Sequence, residues 1–147
     1  MGLNLDQIGQ EKTRWLPLQG HLAGVEIQIR FVGTEDSQKF HSRMEADGII
    51  RVTREDPMHI NAGREAAFFK AIAARYVVDW REDEAWRAEH PDAPPAISRN
   101  GPKGTAFDVD DMASVLRFYP SAYRQLMSAC AEEDAFFVNG HDGSTTS

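Results

Sequence analysis

The sequence predicts a mainly helical α+β fold, in which an N-terminal β-hairpin or small antiparallel sheet packs on a bundle of about four helices. Two observations lead to this fold class. Residues 25–31 alternate strictly between apolar and polar side chains, as a strand with one buried face requires. The segments 61–80, 108–119 and 121–138 instead place apolar residues three or four positions apart, which is the spacing of a helix with one buried face.

The length and composition fit a single folded domain. The chain has 147 residues, of which 41% are apolar and 27% are charged, and both fractions are near the averages of globular proteins. A chain of this size buries roughly two thirds of its unfolded surface, which is enough for a real core. We therefore predict one α+β domain over 13–139, a flexible N-terminal segment over 1–12 and a disordered tail over 140–147.

The hairpin is predicted over residues 13–32. A short apolar cluster from Trp15 to Leu18 precedes a turn at Gly20, and the alternating strand follows that turn. Pro17 has no N–H to donate to a neighbouring strand, so it suits an edge position. The segment around Trp15 is therefore expected to be the antiparallel partner of the alternating strand.

A helix over 35–46 and a short strand are predicted after the hairpin. Thr34 is a candidate N-cap, because its hydroxyl can accept a hydrogen bond from a free backbone N–H of the first turn. Gly48 is a suitable stop, because glycine adopts the left-handed conformation at little cost. The apolar residues between 49 and 52 then fit a short strand.

The strongest helix is predicted over 61–80, with Asn61 as its candidate N-cap. Large apolar side chains recur there at every fourth position, so they form one stripe. Burial of such a side chain contributes about 1.5–3 kcal/mol relative to exposure, and we expect this helix to be central to the core. The stripe consists of Phe68, Ile72, Tyr76 and Trp80.

A long loop is predicted over 81–106, where prolines and glycines are concentrated, with one helical turn around Trp86 before the prolines. Prolines this close together exclude a continuous helix, because each removes a backbone donor and clashes with the preceding turn. Helical spacing resumes over 108–119, Pro120 ends that helix, and Ser121 can cap the last helix over 121–138. A connector of this length inside one domain is often functional.

The charge balance and the cysteine content limit the classes of function. The net charge is −7, with ten basic and eleven acidic residues in 1–80 and six basic and twelve acidic residues in 81–147. Nonspecific binding to nucleic acid needs a basic surface, so no nucleic-acid partner is predicted. Cys130 is the only cysteine, which excludes an intrachain disulfide and a cysteine-based zinc site. No apolar run approaches the roughly 20 residues of a membrane-spanning helix, so no membrane partner is predicted.

The sequence contains no catalytic or cofactor-binding motif, and no enzyme, cofactor or metal is predicted. None of the five histidines lies three or four positions from another, and neither a phosphate loop nor a nucleophile elbow occurs. The carboxylates of Asp108, Asp110 and Asp111 fit the start of a helix, where they accept backbone N–H groups, better than a cation site. Cys130 lies on an apolar stripe and is interpreted as a small core residue.

Phe136, Phe137 and Val138 form an apolar group close to the C-terminus. One interpretation places these residues in the core. The other places them on a surface that contacts a partner, because exposed aromatic patches usually mark interfaces. Both interpretations are kept, and the second makes these three residues a candidate partner interface.

The order of three segments resembles a known family. Tyr76-Val77-Val78-Asp79-Trp80 precedes the proline-containing loop, Phe118-Tyr119-Pro120 precedes the last helix, and that helix closes on acidic residues and Phe136-Phe137. This order is similar to that of the small tail assembly chaperones of long-tailed, siphovirus-like bacteriophages, and the resemblance spans residues 13–139. The residues interpreted as its core motif are Tyr76, Asp79, Trp80 and Tyr119.

The resemblance implies a non-enzymatic role in the host cytoplasm. Chaperones of this family bind the tape-measure protein, which is an elongated helical chain, keep it soluble and recruit tail-tube subunits. Such a role needs reversible apolar grooves beside charged surface. The acidic second half of the chain favours basic partner segments, and self-association is left open.

Two alternatives are kept beside this expectation. The chain could be a structural tail or neck protein that stays in the virion, because such proteins have equally loose sequence patterns. It could also be a small enzyme or metal-binding domain whose site is assembled from distant loops.

Overall fold

The computed structural model describes residues 12–56, 58–94 and 106–132, so the predicted N-terminal segment (apart from Lys12) and the predicted tail lie outside the described residues. Within these ranges the chain forms a three-stranded antiparallel sheet, a two-stranded antiparallel ribbon and five α-helices, which confirms the mainly helical α+β class. The strands are β1 (Thr13–Pro17), β2 (Val25–Arg30), β3 (Ile50–Arg51), β4 (His59–Ile60) and β5 (Val77–Glu82). The helices are α1 (Thr34–Ala46), α2 (Glu65–Tyr76), α3 (Glu84–Glu89), α4 (Val109–Phe118) and α5 (Pro120–Cys130), and a short 3-10 turn spans Gly20–Leu22.

The central strand of the three-stranded sheet is β2, in the order β1–β2–β5. Both neighbours run antiparallel to it, with Trp15 opposite Gln28 and Ile27 opposite Trp80. The three apolar residues of β2 are buried and its three polar residues are half-buried. The alternation along this strand therefore separates a face that packs on the core from a face that does not.

The core lies between the buried face of this sheet and the helices α2, α4 and α5. Helix α2 packs along α4, and α5 contacts both α4 and β2. Removal of these apolar side chains from water is the main stabilising contribution to such a fold. The largest fully buried side chains include Ile27, Ile29, Phe68, Ile72, Met112, Leu116 and Leu126.

The helix predicted over 61–80 is wrong at its C-terminal end, because the last part of that segment forms a strand. Helix α2 ends at Tyr76, and Val77–Glu82 pairs with β2 as β5. The two valines that begin β5 favour an extended backbone, because their branched side chains are restricted in a helix. The segment also satisfies backbone groups of β2 that would otherwise have no partner on that edge.

The N-terminus of α2 differs from the predicted capping, and a residue of β2 caps its C-terminus. At the N-terminus Arg64 occupies the cap position, and Asn61 instead donates from Nδ2 to the carbonyl oxygen of Gly48 (2.9 Å). At the C-terminus the guanidinium of Arg30 donates to two carbonyl oxygens in the last turn, at 3.1 and 3.0 Å. These last bonds satisfy carbonyls that have no partner within the helix.

Two earlier boundaries also differ from the prediction. Helix α1 begins at Thr34, and Gly33 occupies the cap position, so Thr34 is not the N-cap. The helical turn expected around Trp86 is the helix α3, and the last residues of β5 also lie within the predicted loop over 81–106. The carboxylate of Asp83 caps α3 by accepting the N–H groups of its second and third residues, at 3.0 and 3.4 Å.

The junction between α4 and α5 lies one residue earlier than predicted. Pro120 is the first residue of α5, which suits proline because the first helical N–H has no acceptor within the helix. Tyr119 is therefore the single connecting residue, and Ser121 is not an N-cap. Helix α5 ends at Cys130, and the predicted helical residues 133–138 lie outside the described part of the chain.

Candidate protein-binding cleft

An exposed aromatic corner lies between α4 and α5. Phe118 is the last residue of α4 and Pro120 is the first residue of α5, so Tyr119 alone joins the helices. Phe118 is 67% exposed and Tyr119 is 43% exposed. Together with Val52, they are the large apolar residues that are exposed in the described ranges. Two adjacent exposed aromatic side chains are typical of a surface that contacts a partner.

Helix geometry explains why this corner is exposed. The buried face of α4 carries Met112, Ala113 and Leu116. Phe118 follows Leu116 by two residues, which corresponds to about 200° around a helix and turns its side chain away from the core. Pro120 disfavours the helical conformation of the residue before it, and Tyr119 accordingly has φ −125° and ψ 85°. The chain therefore changes direction with both aromatic side chains outside the buried stripe.

The 3-10 turn Gly20–Leu22 forms a wall that faces this corner. The backbone N–H of Gln19 donates to Gln125 Oε1 (2.8 Å), and Gln125 Nε2 donates to the carbonyl oxygen of Gln19 (3.3 Å). Gln125 Nε2 also donates to Ser121 Oγ (2.9 Å) within α5. These hydrogen bonds hold the start of the turn against the first part of α5.

A cleft of about 320 Å³ lies between the two walls. We call it the aromatic cleft. Its volume is at the small end of the range for ligand sites, and it has room for one or two side chains of a docking protein. Its lining residues are Gln19, His21, Leu22, Phe118, Tyr119, Pro120, Ser121 and Ala122.

Two arginines lie on either side of the aromatic corner in the sequence. The guanidinium carbon of Arg117 is 5.3 Å from the ring centroid of Phe118, which is a cation–π distance. Arg124 is exposed and lies one helical turn after Pro120. In the described residues no carboxylate oxygen lies within 4.0 Å of either guanidinium.

The four residues interpreted as a core motif differ in burial: two are buried, one is half-buried and one is exposed. Tyr76 and Trp80 are buried, and burial raises the pKa of Tyr76. Asp79 is half-buried, and its Oδ1 accepts the backbone N–H of Trp80 (2.8 Å). Tyr119 is not in the core, because the Tyr119-Pro120 junction directs it to the surface.

The residues predicted as a partner interface, Phe136, Phe137 and Val138, lie outside the described residues, so their role stays a prediction. Sequence reasoning did not select Phe118 as an exposed residue. The sequence did contain an indication that Phe118 is exposed, because Phe118 lies outside the apolar stripe of its own helix and is followed by a Tyr-Pro pair. The facing wall from Gly20 to Leu22 had no signal of this kind.

Asp108 caps a helix and Cys130 is buried in the core, so both of these residues contribute to the fold. The carboxylate of Asp108 accepts the N–H groups of Asp110 (2.8 Å) and Asp111 (3.2 Å), so it caps α4. Burial raises the pKa of the Cys130 thiol to about 12, so this thiol is protonated at neutral pH.

Within 12–56, 58–94 and 106–132, no three His, Cys, Asp or Glu side chains are grouped so that they could hold a metal ion. No helix in those ranges is both long and apolar enough to cross a membrane.

Comparison with known proteins gives no relative from which a function could be transferred. No protein-family model, curated protein or solved structure matches the chain. The function is therefore inferred from the aromatic cleft and from the sequence pattern that includes its residues.

Proposed function

We propose that the protein is a tail assembly chaperone of a long-tailed bacteriophage. In this role it binds the tape-measure protein and tail-tube subunits in the host cytoplasm and catalyses no reaction. The observation that supports the proposal most directly is the exposed pair Phe118 and Tyr119 beside the aromatic cleft. The same two residues and Pro120 form one of the segments through which the sequence resembles this family.

A helical partner fits the aromatic cleft physically. An elongated helix presents apolar side chains three and four positions apart, and such a row can enter a groove on another protein. The cleft of about 320 Å³ accommodates one or two of these side chains at a time. Full burial of a side chain such as Phe118 contributes about 1.5–3 kcal/mol, which is compatible with binding that must later be reversed.

The net negative charge of the protein suits a chaperone that must not associate with itself before it binds its partner. The net charge of −7 produces repulsion between copies of the chain. In the described ranges the large exposed apolar residues are Val52, Phe118 and Tyr119, and two of these three lie at the aromatic cleft. The apolar surface available to a partner is therefore concentrated at one place.

Co-expression with a tape-measure protein tests this proposal. The unmodified chaperone should move the tape-measure protein from the insoluble to the soluble fraction and co-purify with it. The double variant Phe118→Ser/Tyr119→Ser should lose this effect, because it removes both exposed aromatic side chains. Val52→Ser is the matched control, since it removes an exposed apolar side chain (47% exposed) outside the cleft, and it should behave like the unmodified protein.

Two outcomes would contradict the proposal. If the tape-measure protein aggregates to the same extent with and without this chain, the chaperone role is wrong. Mass spectrometry of purified particles separates a chaperone from a structural tail or neck subunit, because a structural subunit persists in the virion at fixed copy number. Its detection there at the level of other tail proteins would replace the proposal by the structural alternative.

A further inference from the structure

One of the two chain segments that form the aromatic cleft carries positive charge, and the other carries no charge, in a chain that is acidic as a whole. Between residues 112 and 131, which span most of α4 and all of α5, the charged side chains are Arg117 and Arg124. The facing segment 17–24 contains no Asp, Glu, Lys or Arg. The residues that line the cleft include no carboxylate. The two positive charges lie next to the cleft: Arg117 contacts the ring of Phe118 and lines the neighbouring pocket with Lys70 and Asp110, and Arg124 follows the aromatic corner along α5.

Both guanidinium groups are available to a partner. Arg117 and Arg124 are exposed, and among the described residues no carboxylate oxygen lies within 4.0 Å of either one. Arg117 lies against the ring of Phe118, and Arg124 follows Pro120 on the same face of α5 one turn later. One arginine therefore precedes the aromatic corner and the other follows it.

We propose that the aromatic cleft binds an amphipathic helix whose apolar stripe is flanked by Asp or Glu. This inference rests on the proposed function, because it names the chemistry of the partner segment. Apolar side chains of the helix contact Phe118 and Tyr119, and its carboxylates contact Arg117 and Arg124. Arginine suits this role because its planar fork of donors matches a carboxylate. Aromatic residues and arginine are also the residue types enriched at the centres of protein interfaces.

This charge preference is opposite to the one that the sequence alone suggests. The net charge of the second half of the chain, six basic against twelve acidic residues, favours basic partner segments. Six of those acidic residues, however, are grouped at 82–84 and at 108–111, outside the walls of the cleft. Exposed charges farther than about 10 Å apart are screened at 0.1 M salt. Asp110 does line a neighbouring pocket with Arg117, but its Oδ1 lies 3.3 Å from Lys70 Nζ, so this carboxylate already has a basic partner.

Single-stranded nucleic acid is the other class of ligand that aromatic and arginine side chains can hold, because bases stack on aromatic rings. Such a ligand needs a positive track along its phosphates, whereas the cleft offers two arginines in an acidic chain. The observations therefore favour the acidic helix, and an oligonucleotide serves as an opposing probe.

Synthetic helical peptides of 20 residues test the inference with the full-length protein. Three labelled peptides share one leucine stripe and carry Glu, Gln or Lys on both sides of it, and fluorescence anisotropy measures their binding. The Glu peptide should bind about three- to tenfold more tightly than the Gln peptide, because two exposed ion pairs contribute on that scale, and the Lys peptide should bind more weakly than either. This preference should decrease at high salt.

Charge-matched variants identify the residues responsible. Arg117→Gln/Arg124→Gln should abolish the preference for the Glu peptide, so that the Glu and Gln peptides bind equally well. Arg43→Gln/Arg54→Gln makes the same change in net charge at two exposed arginines, one in α1 and one between β3 and β4, and it should keep the preference. All four positions are exposed, so circular dichroism is expected to show folded protein in each case.

The possible results separate this inference from the proposed function. Equal binding of the three peptides, or binding of none, overturns the acidic-helix inference, and it leaves the chaperone role in place if the tape-measure protein is still kept soluble. A clear Glu preference without any effect on the tape-measure protein supports the inference and contradicts the chaperone role. Tighter binding of a 20-nucleotide oligo-dT than of the Glu peptide, lost in Arg117→Gln/Arg124→Gln, overturns the inference in favour of nucleic acid.

Discussion

The guanidinium of Arg87 and the carboxylate of Glu82 form a two-point ion pair, with Nη2 2.6 Å from Oε2 and Nε 3.0 Å from Oε1. The same guanidinium donates from Nη1 to the carbonyl oxygens of His90 (2.9 Å) and Ala93 (2.7 Å). Glu82 ends β5, and Arg87 lies in α3, so this one side chain connects the edge of the sheet to the segment 90–94. The planar fork of arginine makes these simultaneous bonds possible.

Replacement of Arg87 by lysine should loosen the segment 90–94 while keeping the charge. Lysine has a compact ammonium group and cannot contact the Glu82 carboxylate at two points and the carbonyl groups at once. Hydrogen exchange followed by mass spectrometry should show faster exchange in 90–94, including the Ala93 N–H that donates to His90. Arg81→Lys, which alters the separate pair with Glu26, is the control and should leave exchange in 90–94 unchanged. Unchanged exchange in Arg87→Lys would mean that other contacts hold this segment.

Trp80 should be one of the main contributors to stability. Its ring is buried, with 6% exposure, and packs edge-on against Phe107 at 5.5 Å between centroids. Trp80→Ala should reduce the free energy of unfolding by about 3–5 kcal/mol, measured by urea denaturation. Trp86→Ala removes a half-buried indole that stacks on His90, and we expect a reduction of about 1 kcal/mol. Similar losses in both variants would contradict the central position of Trp80.

Strand β2 could be predicted because its signal is local. Val25, Ile27 and Ile29 occupy alternate positions, and a period of two has only one structural interpretation. The boundary between α2 and β5 could not be predicted in this way. Trp80 is four positions after Tyr76 and continues the helical spacing, so the pattern is compatible with a helix through residue 80. Residues 77–82 form a strand because they pair with β2, which lies about 50 residues earlier in the chain. A local sequence pattern cannot show that an edge of β2 is available for this pairing.

The candidate site was predictable to a smaller extent than the fold. The segment Phe118-Tyr119-Pro120 was singled out in the sequence, but Tyr119 was assigned to a core motif. The cleft exists because Gln19 and Gln125, which are 106 positions apart, hydrogen-bond to each other and place the 3-10 turn opposite the aromatic corner. Contacts of this separation depend on the packing of the whole domain, and neither composition nor periodicity encodes them directly.

Two neighbouring residues of α4 should differ sharply in their effects on stability. Leu116 is fully buried, so Leu116→Ala should reduce the free energy of unfolding by about 2–5 kcal/mol. Phe118 is 67% exposed, and Phe118→Ala should change the free energy of unfolding by at most about 0.5 kcal/mol. Urea denaturation of both variants measures the difference. A loss above about 2 kcal/mol in Phe118→Ala would show that this ring is packed in the fold and is not free for a partner.

The buried thiol of Cys130 should make stability fall at alkaline pH. Burial raises its pKa from 9.0 to about 12, so the folded state holds this proton more tightly than the unfolded chain does. The resulting stabilisation is complete below pH 9 and is lost as the pH rises toward 12, at up to about 1.4 kcal/mol per pH unit. Cys130→Ala removes the titrating group, so its free energy of unfolding, measured by urea denaturation, should fall less steeply above pH 9. Tyr76 and Tyr123, whose pKa values burial also raises, titrate in both proteins. The charge of the Cys130 thiolate also raises the pKa of Tyr76, so the difference between the two proteins reports the thiol together with its coupling to Tyr76. Parallel pH profiles for the two proteins would contradict the burial of Cys130.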